Sequence, residues 1–356
     1  MKRIGYLTSV LIVAALAQAG CSQSTGDCSA VGDVSFVCGP VNAEDLVLVP
    51  DTEWIIASGM AAGSGFTAIH SGTGETRPLP VTSGYNSGMY PRTCEGPPDP
   101  SAFESHGLDI HRADSGRVTL HAVGHGAREA IEIYDVNMTS DGPSLIWKGC
   151  VLMPNGLAAN SVASSYDGSL VATVLFLPGR TFEDAVVNKQ NTGAVYRWKL
   201  GDQGFTKIEG SELPANNGIA MDQYGEEFYV ASSGLQTIVA FSNTNPTSQL
   251  RSSAPLPITP DNVHMGPDGK LLTAGMKNDV PECGGPPGPE HSIEILAACP
   301  RGTIAIEIDP ATMADRVLVE TPALDEFSNA TMVLPAAGRY WFGTFSGDRV
   351  ANVPMP

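Results

Sequence analysis

Residues 217–232 read NGIAMDQYGEEFYVAS: a short apolar run, an Asp/Gly-type turn, then a run of β-forming residues. Two such runs around a turn specify an antiparallel hairpin. The phrase recurs as EDLVLVPDTEWIIASG (44–59), HGLDIHRADSGRVTLHAVGH (106–125), NSVASSYDGSLVATV (160–174), DNVHMGPDGKLLTAG (261–275) and NATMVLPAAGRYWFGTF (329–345). Successive openings are 44 to 68 residues apart. Each interval has room for about four short strands, the content of one propeller blade with loop insertions. The pattern predicts an all-β fold, a six-bladed β-propeller with a central metal site. No linker is long enough to divide residues 41–356, so they form a single domain. CGGPPGPEHS (283–292) reads as a loop insertion within a blade.

Composition agrees. The chain has 356 residues, 42% hydrophobic, enough for a sizeable core. With 39 Gly, 27 Pro and only 16% charged residues, it lacks the Ala/Glu/Lys/Leu bulk of a helical bundle. Twenty basic residues against 38 acidic leave a net charge of -18, which argues against a nucleic-acid partner. Nothing in the pattern specifies an oligomeric state.

Residues 1–20 have the form of an export signal: Met1-Lys2-Arg3 is basic, Ile4 to Ala19 mostly apolar, and Ala17-Gln18-Ala19 an A-x-A site. Cys21 follows at once and opens a polar tract, as at a bacterial lipoprotein junction. A lipid on Cys21 would tether the protein to a membrane through residues 21–40, a polar tether. Periplasmic or outer-membrane-anchored residence is expected, with simple secretion as the rival. Six cysteines remain, an even number suited to an oxidising compartment. The local pairs Cys28–Cys38 and Cys283–Cys299 are expected, leaving Cys94–Cys150 as a longer link.

A polar residue opens every phrase: Glu44-Asp45, His106, Asn160, Asn217, Asp261-Asn262 and Asn329. If these sit at equivalent places in successive blades, the ring gathers them around one axis. Glu44 and Asp261 bring two carboxylates, and Asn160, Asn217 and Asn262 bring neutral oxygens. Such a set suits calcium, a hard cation that takes roughly six to eight oxygen ligands. Taken singly, Asn217-Gly218 is equally a turn.

At these residues the chain resembles the paraoxonase/arylesterase family, with the broader gluconolactonase-like (senescence marker protein) superfamily behind it. The matching phrases are AEDL (43–46), SHG (105–107), VGHGAREAIEIY (123–134), NSVA (160–163), ANNGI (215–219) and PDNV (260–263), in the family's order. The resemblance implies a six-bladed propeller with calcium in its channel, held by Glu44, Asn160, Asn217, Asp261 and Asn262. It maps a catalytic histidine dyad onto His106 and His125. A second, structural calcium would use Asp45, the backbone carbonyl of Leu108 and an acidic residue after Asn160, where this chain has Ser161. The family's N-to-C-terminal disulfide has no counterpart, because no cysteine lies beyond Cys299. Ring closure therefore falls to strand pairing between the N-terminal segment and the last blade.

The implied activity is calcium-dependent hydrolysis of lactones or aryl esters, with organophosphates as a side activity. Histidine suits the base because its ordinary pKa lies near neutrality. In the gluconolactonase-like alternative, Asp261 is the base. A non-catalytic propeller serving as a binding module is the reading from another class. His70, His111, His121, His264 and His291 are assigned no role. The G-x-S-x-G elbow, H-E-x-x-H helix, P-loop and dinucleotide fingerprint are all missing, which argues against a serine esterase of the α/β-hydrolase type. Loops 59–105 and 176–192 are expected to carry specificity.

Overall fold

The computed structural model describes residues 27–84, 88–91, 93–244, 248–286, 288, 292, 295 and 298–356. The export signal and Cys21 lie outside them. Among the described residues, no helix is long and apolar enough to cross a membrane.

The chain enters through β1 (Ser35–Cys38) and then builds six sheets in sequence order. The first blade holds β2 (Leu46–Leu48), β3 (Trp54–Ala57), β4 (Thr67–His70) and β5 (Thr76–Pro78). A short β6 (Val81–Ser83) pairs in parallel with the outer edge of the second blade. That blade comprises β7 (Glu104–Arg112), β8 (Val118–His125), β9 (Ala130–Thr139) and β10 (Gly142–Leu152). The third contains β11 (Val162–Ser164), β12 (Leu170–Val174), the inserted helix α1 (Phe182–Val186), β13 (Ala194–Trp198) and β14 (Thr206–Lys207). The fourth is β15 (Asn216–Met221), β16 (Glu227–Ser232), β17 (Thr237–Ser242) and β18 (Gln249–Ser252). The fifth is β19 (Ile258–Met265), β20 (Leu271–Lys277), β21 (Thr303–Ile308) and β22 (Asp315–Thr321). The sixth is β23 (Ala330–Ala336), β24 (Arg339–Thr344) and β25 (Arg349–Pro354), completed by β1.

The six phrases are the first two strands of the six blades, so the all-β, six-bladed propeller stands as read. Strand β1 pairs antiparallel with β25, from Ser35↔Asn352 to Cys38↔Arg349, which closes the ring by strand pairing. The tract expected as a tether thus gives its residues 35–38 to the last blade. Its apolar residues explain this: Phe36 is buried against the sixth sheet. The expected 283–292 insertion falls between β20 and β21 of blade five, and Cys283, at its start, pairs with Cys299 just before β21. Cys28–Cys38 and Cys94–Cys150 are paired as well.

Neighbouring sheets face each other across wedges filled with apolar side chains. Val47, Ile56, Leu108, Leu120 and Trp147 fill the first wedge; Val123, Ile131, Leu170 and Trp198 fill the next. At the closure, Leu46 and Ile55 of the first blade pack on Met332 and Trp341 of the last. Each fully buried Ile, Leu or Phe contributes roughly 1.5–3 kcal/mol. Inner strands β2, β7, β11, β15, β19 and β23 contact one another in turn and line the channel.

Candidate active site

The sheets alone would not aim the polar openings at one point; bulges do. Pairing slips between Ser105 and Leu108 in β7, between Asn216 and Ile219 in β15, and between Pro260 and Val263 in β19. The slips fall on His106-Gly107, Asn217-Gly218 and Asp261-Asn262, and a bulge bends its strand and re-aims its side chains. Glu44 and Asn160 stand just before β2 and β11. Two glycines let the strands converge. A Cβ on Gly107 would lie 2.6 Å from the Ser161 Cα, and one on Gly218 would lie 2.5 Å from the Asn262 Cα. No other residue fits either place.

The structure brings Glu44, His106, Asn160, Asn217 and Asp261 to one cavity of about 250 Å³. Asn262 adjoins them, its Nδ2 donating to Glu44 Oε1 at 2.6 Å. Asn160 Nδ2 donates to Asn217 Oδ1 at 2.6 Å, and Asn217 Nδ2 donates to Ser233 Oγ at 3.0 Å. Threonines on adjoining strands hold the backbone: the hydroxyls of Thr173, Thr273 and Thr331 donate to the carbonyls of Asn217, Asn262 and Glu44. Asn329, the sixth phrase opener, does not line the cavity; its amide donates to Ser346 Oγ at 2.8 Å.

The charge balance of this set is unfavourable without a cation. Burial, then Asp261 and Asp45, push the Glu44 carboxyl well above its ordinary range. Burial likewise pushes Asp261 up to about 7, against a hydrogen bond from Asn217. Glu44 Oε2 and Asn262 Oδ1 are buried without a hydrogen-bond partner. Buried oxygens in this condition are costly, and a bound cation removes the cost. Two carboxylates and three amide oxygens fit calcium in kind. Among the described residues, no group of three or more His, Cys, Asp or Glu is gathered to hold a metal. A site rich in amides does not need one.

The two histidines meet. His106 Nδ1 lies 3.1 Å from His125 Nε2 across the β7–β8 pair, with ring centroids 5.3 Å apart. Burial, then His125, lowers the His106 pKa to about 3. This keeps the ring neutral but, unlike the near-neutral histidine expected from sequence, makes it a weaker base. Its Nε2 lies 3.6 Å from Glu44 Oε2. A third group, unsuspected from sequence, completes the row: Glu129 Oε2 is 2.7 Å from His125 Nδ1.

The expected second calcium does not fit. Asp45 is fully buried, and protein donors already occupy its carboxylate. Leu46 N–H at 2.9 Å and His264 Nε2 at 2.7 Å serve Oδ1; Leu108 N–H at 2.7 Å serves Oδ2. Leu108 thus spends its N–H on Asp45, and Ser161 supplies no carboxylate. Burial alone would lower the His264 pKa; Asp45 and Asp109 outweigh it and hold the ring above its ordinary value. A histidine therefore meets this charge. Strand periodicity gave no clear signal for it, because the bulge at Asp261-Asn262 breaks the alternation of β19 just before His264.

Apart from its polar groups, the cavity is lined by Met60, Leu175, Phe176, Phe182, Val186, Ala215, Met276 and Phe345. Met60 comes from the turn after β3; the rest of the 59–105 segment, expected as a loop, carries β4, β5 and β6. Phe176, Phe182 and Val186 come from segment 176–192, which holds α1. Helix α1 is seated by a capping box in which Thr181 and Asp184 satisfy each other's backbone N–H, and its buried Val186 packs by Ala215.

No family model matches the chain, and no curated protein matches it in sequence. Solved structures do share its architecture. A luciferin-regenerating enzyme superimposes with a TM-score of 0.53 at 14% identity, covering 90% of this chain and 94% of that one. A gluconolactonase from Xanthomonas campestris gives 0.51 at 14% identity, covering 91% and 89%. What the chain has in common with them is the six-bladed propeller fold.

Proposed function

We propose that this protein is an exported, calcium-dependent hydrolase of lactones or aryl esters. The observation that carries the reading is one cavity lined by His106 and by the buried oxygens of Glu44, Asn160, Asn217 and Asp261, beside mostly apolar walls. Calcium, held by Glu44, Asn160, Asn217, Asp261 and Asn262, would polarise the substrate carbonyl and stabilise the oxyanion. The apolar walls would hold the alkyl or aryl part of the substrate. They offer few partners for the hydroxyls of a sugar lactone, which favours the apolar substrate class over the gluconolactonase-like alternative.

The neutral His106 ring would take a proton from a water attacking the carbonyl carbon. Collapse of the tetrahedral intermediate breaks the acyl C–O bond, and the leaving alkoxide recovers the proton. A lactone yields a hydroxy acid; an aryl ester yields an acid and a phenol. A second reading rests on Asp261: its carboxylate lines the same cavity as His106 and is placed to act as base in its stead.

Three disulfides support export, since such bonds persist in oxidising compartments. Lipid on Cys21, and with it a periplasmic or outer-membrane tether, remains part of the proposal.

The test is turnover of phenyl acetate and of γ- and δ-lactones, as prepared, after chelation and after calcium is restored. Loss on chelation with recovery supports the hydrolase; folded, calcium-loaded protein without turnover points to a binding module. A rate lowered on the order of 100-fold in His106→Gln supports the dyad. A His106→Gln rate close to wild type transfers the role to Asp261.

A further inference from the structure

The row of titratable groups does not stop at the two histidines. From the cavity outward it runs Glu44, His106, His125, Glu129, with contacts of 3.6, 3.1 and 2.7 Å. The side chains of His106 and His125 are 14% and 15% exposed, and that of Glu129 is 42% exposed, so the row leads from the channel to solvent. Glu129 ends the β8–β9 turn. Its carbonyl accepts from Met153 N–H at 3.0 Å, and Gly126 in the same turn has φ 74° with a Cβ position 2.0 Å from the Ala102 carbonyl oxygen. The backbone path is therefore set. The neighbouring cation does not compete for Glu129, because Arg128 is engaged by Glu132 at 2.6 and 2.9 Å.

Donor counting gives these contacts a direction. An ionised carboxylate only accepts, and a neutral imidazole carries one N–H. His125 Nδ1 must then donate to Glu129, which leaves His125 Nε2 as an acceptor. His106 Nδ1 must donate to that nitrogen, which leaves the lone pair of His106 Nε2 facing the cavity. Without an acceptor at 129, either tautomer of His125 is available, and with it either tautomer of His106.

We propose that Glu129 is a positioning residue: its carboxylate fixes the tautomers of both histidines and so presents the His106 Nε2 lone pair to the attacking water. The proposal rests on His106 as the base. When His106 Nε2 gains a proton, its Nδ1 proton passes to His125 Nε2. His125 is then an imidazolium, and Glu129 balances its charge. Return of the proton to the leaving oxygen reverses each transfer, so the row is restored at every turnover.

Ring-nitrogen NMR of the protein with ¹⁵N-labelled histidine reads the tautomers without any substrate. The expected wild-type result at neutral pH is Nδ1–H on both rings. Glu129→Ala and Glu129→Leu remove the acceptor; both rings should show mixed tautomers, and kcat should fall on the order of 10- to 100-fold with KM little changed. Glu129→Gln keeps an acceptor oxygen without the charge, so it should retain the wild-type tautomers and a rate between the two. An Nε2–H tautomer for His106 in the wild type overturns the proposal, as do unchanged ring shifts in Glu129→Ala and Glu129→Leu. Shifted tautomers with an unchanged rate uphold the tautomer assignment and overturn His106 as base. The substitutions lie at a half-exposed surface turn, and the two acceptor-free variants check each other's folding.

Discussion

The Asn262 amide donates to the Glu44 carboxylate at 2.6 Å, although 218 residues separate the two in sequence. The bond joins the fifth blade to the first and leaves the other carboxylate oxygen buried and without a hydrogen bond. That oxygen is where a cation would gain most. Glu44→Gln should therefore weaken calcium binding by at least about tenfold, because affinity in such sites follows the number of charged ligands. Isothermal titration of chelator-treated protein measures it, and wild-type affinity in the variant would remove Glu44 from the ligand set.

Calcium should bind with a stoichiometry of one. Asp45, the anchor of any second site, is already served by His264, Leu46 and Leu108. Removing the ring by His264→Leu should cost about 3 kcal/mol in urea unfolding, since it strands a buried carboxylate. Two ions per chain, or a stability loss below about 0.5 kcal/mol, the range of surface changes, would contradict this account.

A pH dependence follows from blade four. Arg251 donates to both oxygens of Glu227, at 3.0 and 2.5 Å, and holds its carboxyl below the ordinary value. The stabilisation is present above the unfolded carboxyl's pKa of about 4.3 and is lost as pH falls through the lower folded value. Glu227→Gln should cost about 1 kcal/mol at neutral pH. Its unfolding free energy should converge on the wild type's as pH falls below the folded carboxyl's lowered value. A constant difference across that range would assign the effect to packing.

Phe182 lines the cavity on α1. Phe182→Ala should raise KM for alkyl or aryl lactones about tenfold with kcat little changed, the loss of an apolar contact made equally in ground and transition states. A fall in kcat alone would show that α1 positions the reacting groups instead.

Much of the candidate site's layout was legible. The polar openings of five blades sit where strand equivalence put them, and the bulges that aim them fall on His106-Gly107, Asn217-Gly218 and Asp261-Asn262. Asn329 opens the sixth phrase yet lies off the cavity, so recurrence alone did not separate a site residue from one bonded elsewhere. Glu129 escaped because its meaning lies in a turn: four residues after His125, it reaches back to the ring only as the β8–β9 connection folds. The apolar walls were legible only as the segments 59–105 and 176–192, which supply Met60, Phe176, Phe182 and Val186. Met276 and Phe345 escaped because they come from a strand end and a turn with no common spacing.

The repeat of apolar runs, turns and β-branched runs determined six blades, because alternation along a strand and the turn residues between strands are local properties of the chain. Local spacing also indicated the pairs Cys28–Cys38 and Cys283–Cys299, and Cys94–Cys150 was the pair that remained; the structure shows all three. Which groups meet was decided only by ring closure. The pairing of β1 with β25 and the close approaches at Gly107 and Gly218 set the radius of the channel. Hydrogen bonding and charge act over a few ångströms, so His264 came to rest on Asp45, and Glu129 on His125, through distances that no spacing along the chain encodes.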